Sequence, residues 1–229
     1  MKQFALAFLF ILMGNKHGTA QIQVSIASDA SLMRNLSPKQ EFWAFGQTIQ
    51  GNFHFTRKET GYLWIAYYTP GKFKNTYTAF EKLVGTNPPQ IPYTVSGRWL
   101  PRQVSLGWKH YFKGSFDADG SWNLYGIAGF GLMVSTVQNT FNTTIDTSVY
   151  NIPSSPVSGN GSFKRLTFDL GLGAEYPIGA DIYLYGDIRT WLPASDNNPS
   201  PYFHNGKNVP LPLMINAGIR ILFGDQFSQ

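Results

Sequence analysis

Eight charged residues stand at alternating positions in glycine-rich stretches: Lys109, Arg165, Asp169, Glu175, Asp181, Asp187, Arg189 and Arg220. The run from Arg165 to Tyr176 shows the pattern. Arg165, Thr167, Asp169, Gly171, Gly173 and Glu175 share one face, and Leu166, Phe168, Leu170, Leu172, Ala174 and Tyr176 share the other. A period of two is the signature of a strand with two unlike faces. Charges of both signs beside glycines can do two kinds of work in an enclosed interior. They can pair off into a structural plug, since unpaired buried charge is expensive. If the pairs exchange partners, the same residues form a narrow or gated polar pathway. In either case the glycines leave room for Tyr125, Tyr183, Tyr185 and Trp191.

Catalysis finds less support. A hydrolase or acyltransferase site needs a histidine, a hydroxyl nucleophile and an orienting acid within reach. His110 lies on an apolar face with Trp108 and Phe112, whereas Ser105 and Lys109 point the other way. His110 therefore reads as an interfacial histidine. His54 reads as an inward hydrogen-bonding group, and His204 falls in a loop. Their spacing suggests no metal site. The chain has no cysteine, which removes thiolate metal sites, cysteine nucleophiles and disulfides. The expectation is a protein that is not an enzyme and holds no cofactor.

Eight strands would position these residues, near 22–34, 41–57, 62–69, 102–114, 121–137, 165–176, 181–192 and 211–223. On the second, Trp43, Phe45, Ile49, Phe53 and Phe55 align; on the fourth, Val104, Leu106, Trp108, His110 and Phe112 oppose Gln103, Ser105, Gly107, Lys109 and Tyr111. The third, Tyr62 to Tyr68, is apolar on both faces, so its outward side is ambiguous. Trp43, Trp64, Trp108 and Trp122 read as interface girdles. Connections 58–61, 115–120 and 177–180 are short. Those near 70–92, 138–162 and 195–210 are long and polar, and only 35–40 breaks the alternation. Short turns at one end and long loops at the other, joined by strands of about 11–15 residues, are the layout of a closed barrel that crosses a membrane.

Composition agrees. Charged residues make up 14% of the chain, aromatics 16%, and there are 23 glycines; soluble domains average roughly 25% charged. The net charge of +5 comes without a long basic run, and no nucleic-acid partner is expected. Lys2, the apolar run Phe4 to Met13, and the small residues Gly18 and Ala20 read as a cleaved signal peptide over 1–20, followed by the barrel over 21–229.

Three segments then carry a resemblance: Asp169 to Tyr176 with its following hairpin, Tyr125 to Leu132, and Gly218 to Phe223. The chain resembles the small eight-stranded outer-membrane β-barrels, the group of the OmpA transmembrane domain and OmpX. The resemblance implies an all-β, eight-stranded antiparallel up-and-down transmembrane barrel in the outer membrane of a Gram-negative cell. It implies outer-membrane lipids and the barrel assembly machinery as partners, with Phe223, or alternatively Phe227, as the terminal aromatic read during assembly. The role expected is structural or in surface interaction, with the long loops open to an extracellular ligand. A narrow porin-like channel for small polar solutes is the alternative. A lipid-modifying enzyme or a secreted lipocalin-like binder stands further off; the latter would turn the charged face to solvent.

Overall fold

A computed structural model of the chain describes residues 22–154, 156–179, 181–194, 201–203 and 211–224. The expected signal peptide, His204 and Phe227 lie outside them. Among the described residues every regular element is a strand: β1 (Gln23–Asn35), β2 (Phe42–His54), β3 (Glu59–Tyr68), β4 (Gly71–Glu81), β5 (Gln90–Lys113), β6 (Asn123–Phe141), β7 (Tyr150–Asn151), β8 (Gly159–Gly179), β9 (Ile182–Pro193) and β10 (Pro212–Phe223). Around the molecule the order is β3, β2, β1, β10, β9, β8, β6 and β5, all neighbours antiparallel, and β5 pairs back to β3. The result is a closed eight-stranded antiparallel barrel, which leaves its wall without a free edge.

The alternation seen in the sequence sorts the side chains. Leu106, Phe130, Leu166, Leu172, Ile188, Ile215 and their row-mates are exposed on the outside, while Lys109, Asp169, Glu175, Asp187, Arg189 and Arg220 are buried inside. The faces of β3 are now settled: Leu63, Ile65 and Tyr67 point outward, and Tyr62, Trp64, Ala66 and Tyr68 are buried within. Trp64 is thus an interior residue and not a girdle residue. Its neighbours on both sides are apolar too, so alternation alone gave no signal.

The stretch 70–92 is not a loop. After Thr69 and Pro70 the chain resumes as β4, which forms a hairpin with the first part of β5. β5 is one strand of 24 residues with two successive partners: β3 from Arg102 to His110, then β4 from Gln90 to Trp99. Pro70 and Pro101 flank the handover, where a missing N–H costs the ladder least. β6 and β8 run alongside, with 19 and 21 residues. β5, β6 and β8 exceed the about 9–11 residues that a tilted crossing needs, and with β4, which pairs to the upper part of β5, they project past the barrel wall at the end carrying the long connections. Behind this extension lies a second apolar core of Tyr77, Ala79, Tyr93, Val95 and Tyr150, and β7 pairs with the tip of β4.

Candidate functional site

The lumen is filled by two ion-paired centres linked by aromatic rings. At the first, Glu175 on β8 accepts from Arg220 Nη2 at 2.8 Å, Arg220 Nε at 3.2 Å, Lys109 Nζ at 3.2 Å and Tyr111 Oη at 2.9 Å. At the second, Arg189 Nε and Nη2 donate to the two oxygens of Asp187 at 2.9 and 2.7 Å. Arg189 also reaches Gln50 at 2.6 Å, and Asn216 donates to Asp187 at 2.6 Å. Tyr125 spans the gap: the Lys109 ammonium lies 3.6 Å from its ring centroid, and its hydroxyl is 3.4 Å from Asp187. Charge-assisted and two-point contacts of this kind are the stronger class of hydrogen bond.

Glycine makes this packing possible. A Cβ at Gly173 would overlap the Tyr125 ring, and one at Gly107 or Gly129 would meet the Tyr62 hydroxyl. Tyr62, Trp64 and Tyr183 in turn place π-faces beside the guanidinium groups, with Arg220 3.9 Å from the Tyr183 centroid and Arg189 4.8 Å from that of Trp64.

Both mouths are covered by apolar rings. At the short-turn end, the β5–β6 turn folds Phe116 into the barrel, fully buried, where it stacks on His54 at 4.1 Å. Its carbonyl accepts from Arg220 Nη2 at 2.7 Å. At the long-loop end, Trp64, Tyr68 and Trp191 pack edge to face, and Trp99 meets Phe42 and Phe203. Met33, Met133 and Met214 fill the remaining gaps.

The residues expected in the lumen fall into four groups. Lys109, Glu175, Asp187, Arg189 and Arg220 are joined as described. Asp169 is buried and its hydrogen-bond donors are neutral, Thr167 at 3.1 Å and Gln103 at 3.3 Å. Arg165 lies on the inward face beyond Thr167, half-buried towards the long-loop mouth. Asp181 is exposed beside the β8–β9 turn and leaves the interior set. Phe223 ends β10, half exposed on the outer face and opposite Val24.

Sequence reasoning missed Asp29, a buried acid that accepts from Thr48 at 2.6 Å and Tyr185 at 2.5 Å. It also missed the partners of His54, whose ring nitrogens meet Ser25 Oγ at 2.9 Å and Thr60 Oγ1 at 2.8 Å. Two hydroxyls, with no carboxylate, orient this ring. His110 meets Glu59 on the outer face at 2.5 Å, where Glu59 also accepts from Trp108 and Phe55 stacks on Trp108 at 5.1 Å. Among the described residues no cluster of three metal-ligating side chains occurs.

Tyr150 on β7, Trp191 on β9 and Phe203 are buried and pack inward. In the extension, burial raises the ionisation of the stacked pair Tyr77 and Tyr93 above the usual phenol range. In the following loop, the Ser148 hydroxyl and backbone N–H hold the exposed Asp146 carboxyl below its usual range.

No family model matches the chain, and no curated protein does. Among solved structures it is similar to the N-terminal β-barrel domain of Pseudomonas aeruginosa OprF, at 13% identity with a TM-score of 0.48, covering 89% of this chain and 100% of that one. Neisserial surface protein A matches at 13% identity and 0.47, covering 87% and 97%. The outer membrane protein OprG of Pseudomonas aeruginosa matches at 12% and 0.44, covering 91% and 99%. The chain's own geometry establishes what it is: a closed eight-stranded antiparallel barrel with its apolar face outward and a paired, polar interior.

Proposed function

We propose that the chain is an integral outer-membrane barrel that does not conduct and that anchors a sheet extension at the cell surface. The observation that carries this reading is the filled lumen. Two ion-paired centres, a bridging tyrosine and an aromatic cover at each end occupy the path a solute would take. An eight-stranded interior is just wide enough for side chains to fill. The membrane assignment is supported by the outward apolar band, for lipid-facing Arg or Lys costs about 2–4 kcal/mol at mid-bilayer. Orientation follows from the usual layout, with short turns towards the periplasm and long connections outside. A non-enzymatic role is supported by His54 and His110, neither of which is joined to both a hydroxyl and an acid.

Purified protein refolded into planar bilayers tests the reading. Insertion is scored separately by the shift in gel mobility on heating. Inserted protein that stays electrically silent is the expected result. Conductance steps that change in Arg189→Ala would replace the anchor with a narrow channel for small polar solutes.

A further inference from the structure

The outer surface changes character abruptly along one side of the barrel. The cross-strand row Ile65, Val104, Leu132 and Leu166 is wholly apolar. The next outward row towards the long loops is Tyr67, Arg102, Val134 and Lys164, with the Arg102 guanidinium 4.9 Å from the Tyr67 ring centroid. Two rows further, Lys72, Arg98, Gln138 and Asn160 stand side by side on β4, β5, β6 and β8. Lys74 follows on β4, opposite Ser96.

Five exposed cations thus occupy this face. Among the described residues, no acid of the strands that form this face offsets them. β5 and β6 contain no acidic residue, the acids of β8 are buried in the lumen, and the one acid of β4, Glu81, is at its far tip. Lys72 and Arg98 are direct cross-strand partners, an arrangement of like charges that destabilises a sheet by itself. Two shallow hollows of about 430 and 450 Å³ adjoin there, sharing Arg98 and Gln138.

The geometry points to this face as a binding site for phosphorylated lipid head groups of the outer leaflet. The inference rests on the outer-membrane reading above. Depth selects lipid over a soluble polyanion. Arg102 and Arg98 are four residues apart on β5, an advance of about 13 Å, so with a tilt near 40° the two cationic rows sit at roughly the edge of the hydrocarbon and about 10 Å above it. That interval spans the polar head-group layer. Directly beneath, Val104, Leu106, Leu132, Leu166 and Phe168 offer an unbroken apolar surface to acyl chains. Cations so placed attract anionic lipid within a Debye length.

The test uses the full barrel in phosphatidylcholine nanodiscs doped with a diphosphorylated, multiply acylated glucosamine-disaccharide lipid, or with the same lipid lacking its phosphates. Co-purifying lipid is counted by mass spectrometry, and heat-dependent gel mobility scores folding. The wild type is expected to retain the phosphorylated lipid and not the dephosphorylated one. The double variant Lys72→Glu with Arg98→Glu should fold and lose retention by about tenfold or more. Lys58→Glu with Lys113→Glu, which reverses two exposed cations at the opposite end, should retain it. Equal retention by all three proteins, or by both lipids, overturns the site. Binding of inositol hexakisphosphate without retention of the lipid overturns it in favour of a soluble polyanion. Protein that never inserts removes the membrane reading and this inference with it, whereas insertion without preference removes the inference alone.

Discussion

Arg220 and Glu175 face each other across the closed interior as a two-point pair, Nη2 to Oε1 at 2.8 Å and Nε to Oε2 at 3.2 Å, with neither side chain open to solvent. Glu175 is also the carboxylate that pairs with Lys109. Removing its charge therefore strands two cations at once. Glu175→Gln should destabilise the barrel by about 3–5 kcal/mol, the usual range for breaking a buried pair. Asp169→Asn should cost far less, about 1 kcal/mol, because Asp169 meets only neutral donors and an amide oxygen can still accept. Urea-dependent unfolding from vesicles, followed by tryptophan fluorescence, checks the contrast. Equal losses would mean that the pairing does not set the stability of the lumen.

Gly173 and Tyr125 are a fitted pair, since a methyl group at 173 would occupy the tyrosine ring. Gly173→Ala should cost about 1–3 kcal/mol as overpacking. Combined with Tyr125→Leu, it should cost less than the two changes added together. A double-mutant cycle on the same unfolding assay measures the coupling, and strict additivity would refute the contact.

Phe116 covers one mouth while the Trp64, Tyr68 and Trp191 group covers the other. Because the covers act in series, Phe116→Ala should destabilise the barrel by about 3–5 kcal/mol yet leave bilayers silent. Conductance appearing in this single variant would show that the ion-paired centres are no barrier.

The assignment of faces has its own test. Leu170→Arg places a cation in the apolar band and should cost about 2–4 kcal/mol, whereas Thr136→Arg, on the projecting part of β6, should be nearly neutral. Refolding yield into vesicles separates the two. A lipocalin-like molecule in water would tolerate both.

The extension should yield independently of the wall. Tyr77 and Tyr93 stack at 5.8 Å in a core of few residues, so Tyr93→Ala should expose the β4–β5 hairpin to trypsin at Lys74 or Lys82. The barrel should keep its heat-dependent mobility, as local stability follows local burial. Cleavage no faster than in the wild type would show that the extension is held by something other than this core.

The barrel was legible in the sequence wherever one face was apolar and the other was not. β8 from Arg165 onward, β9, β10 and the lower part of β5 are such strands, and Lys109, Asp169, Glu175, Tyr183, Tyr185, Asp187, Arg189 and Arg220 are buried inside as the alternation implies. β3 defeated that logic because its interior carries Tyr62 and Trp64 opposite Leu63 and Ile65. β4 was hidden differently. Phe73, Tyr77 and Ala79 do alternate with Lys72, Lys74 and Thr78, but Pro70-Gly71 and the prolines at 88, 89 and 92 read as loop punctuation. The cationic face could not emerge until β4 was seen as a strand, because Lys72 and Arg98 meet only through its register. Nor does spacing within one strand reveal which acid finds a cation: Asp187 and Arg189 are two residues apart, whereas Glu175 draws its partners from β5 and β10.

The ladder between β1 and β10, from Val24 opposite Phe223 to Asn35 opposite Pro212, joins residues roughly 180–200 positions apart. No local hairpin can substitute for it. Until the last strand has been made and threaded home, the sheet has two raw margins, each a template for pairing with a stranger. Native structure in this chain is therefore an all-or-nothing affair of timing as much as of energy, and a truncation that spares every residue of the lumen except those of β10 would forfeit the whole cylinder.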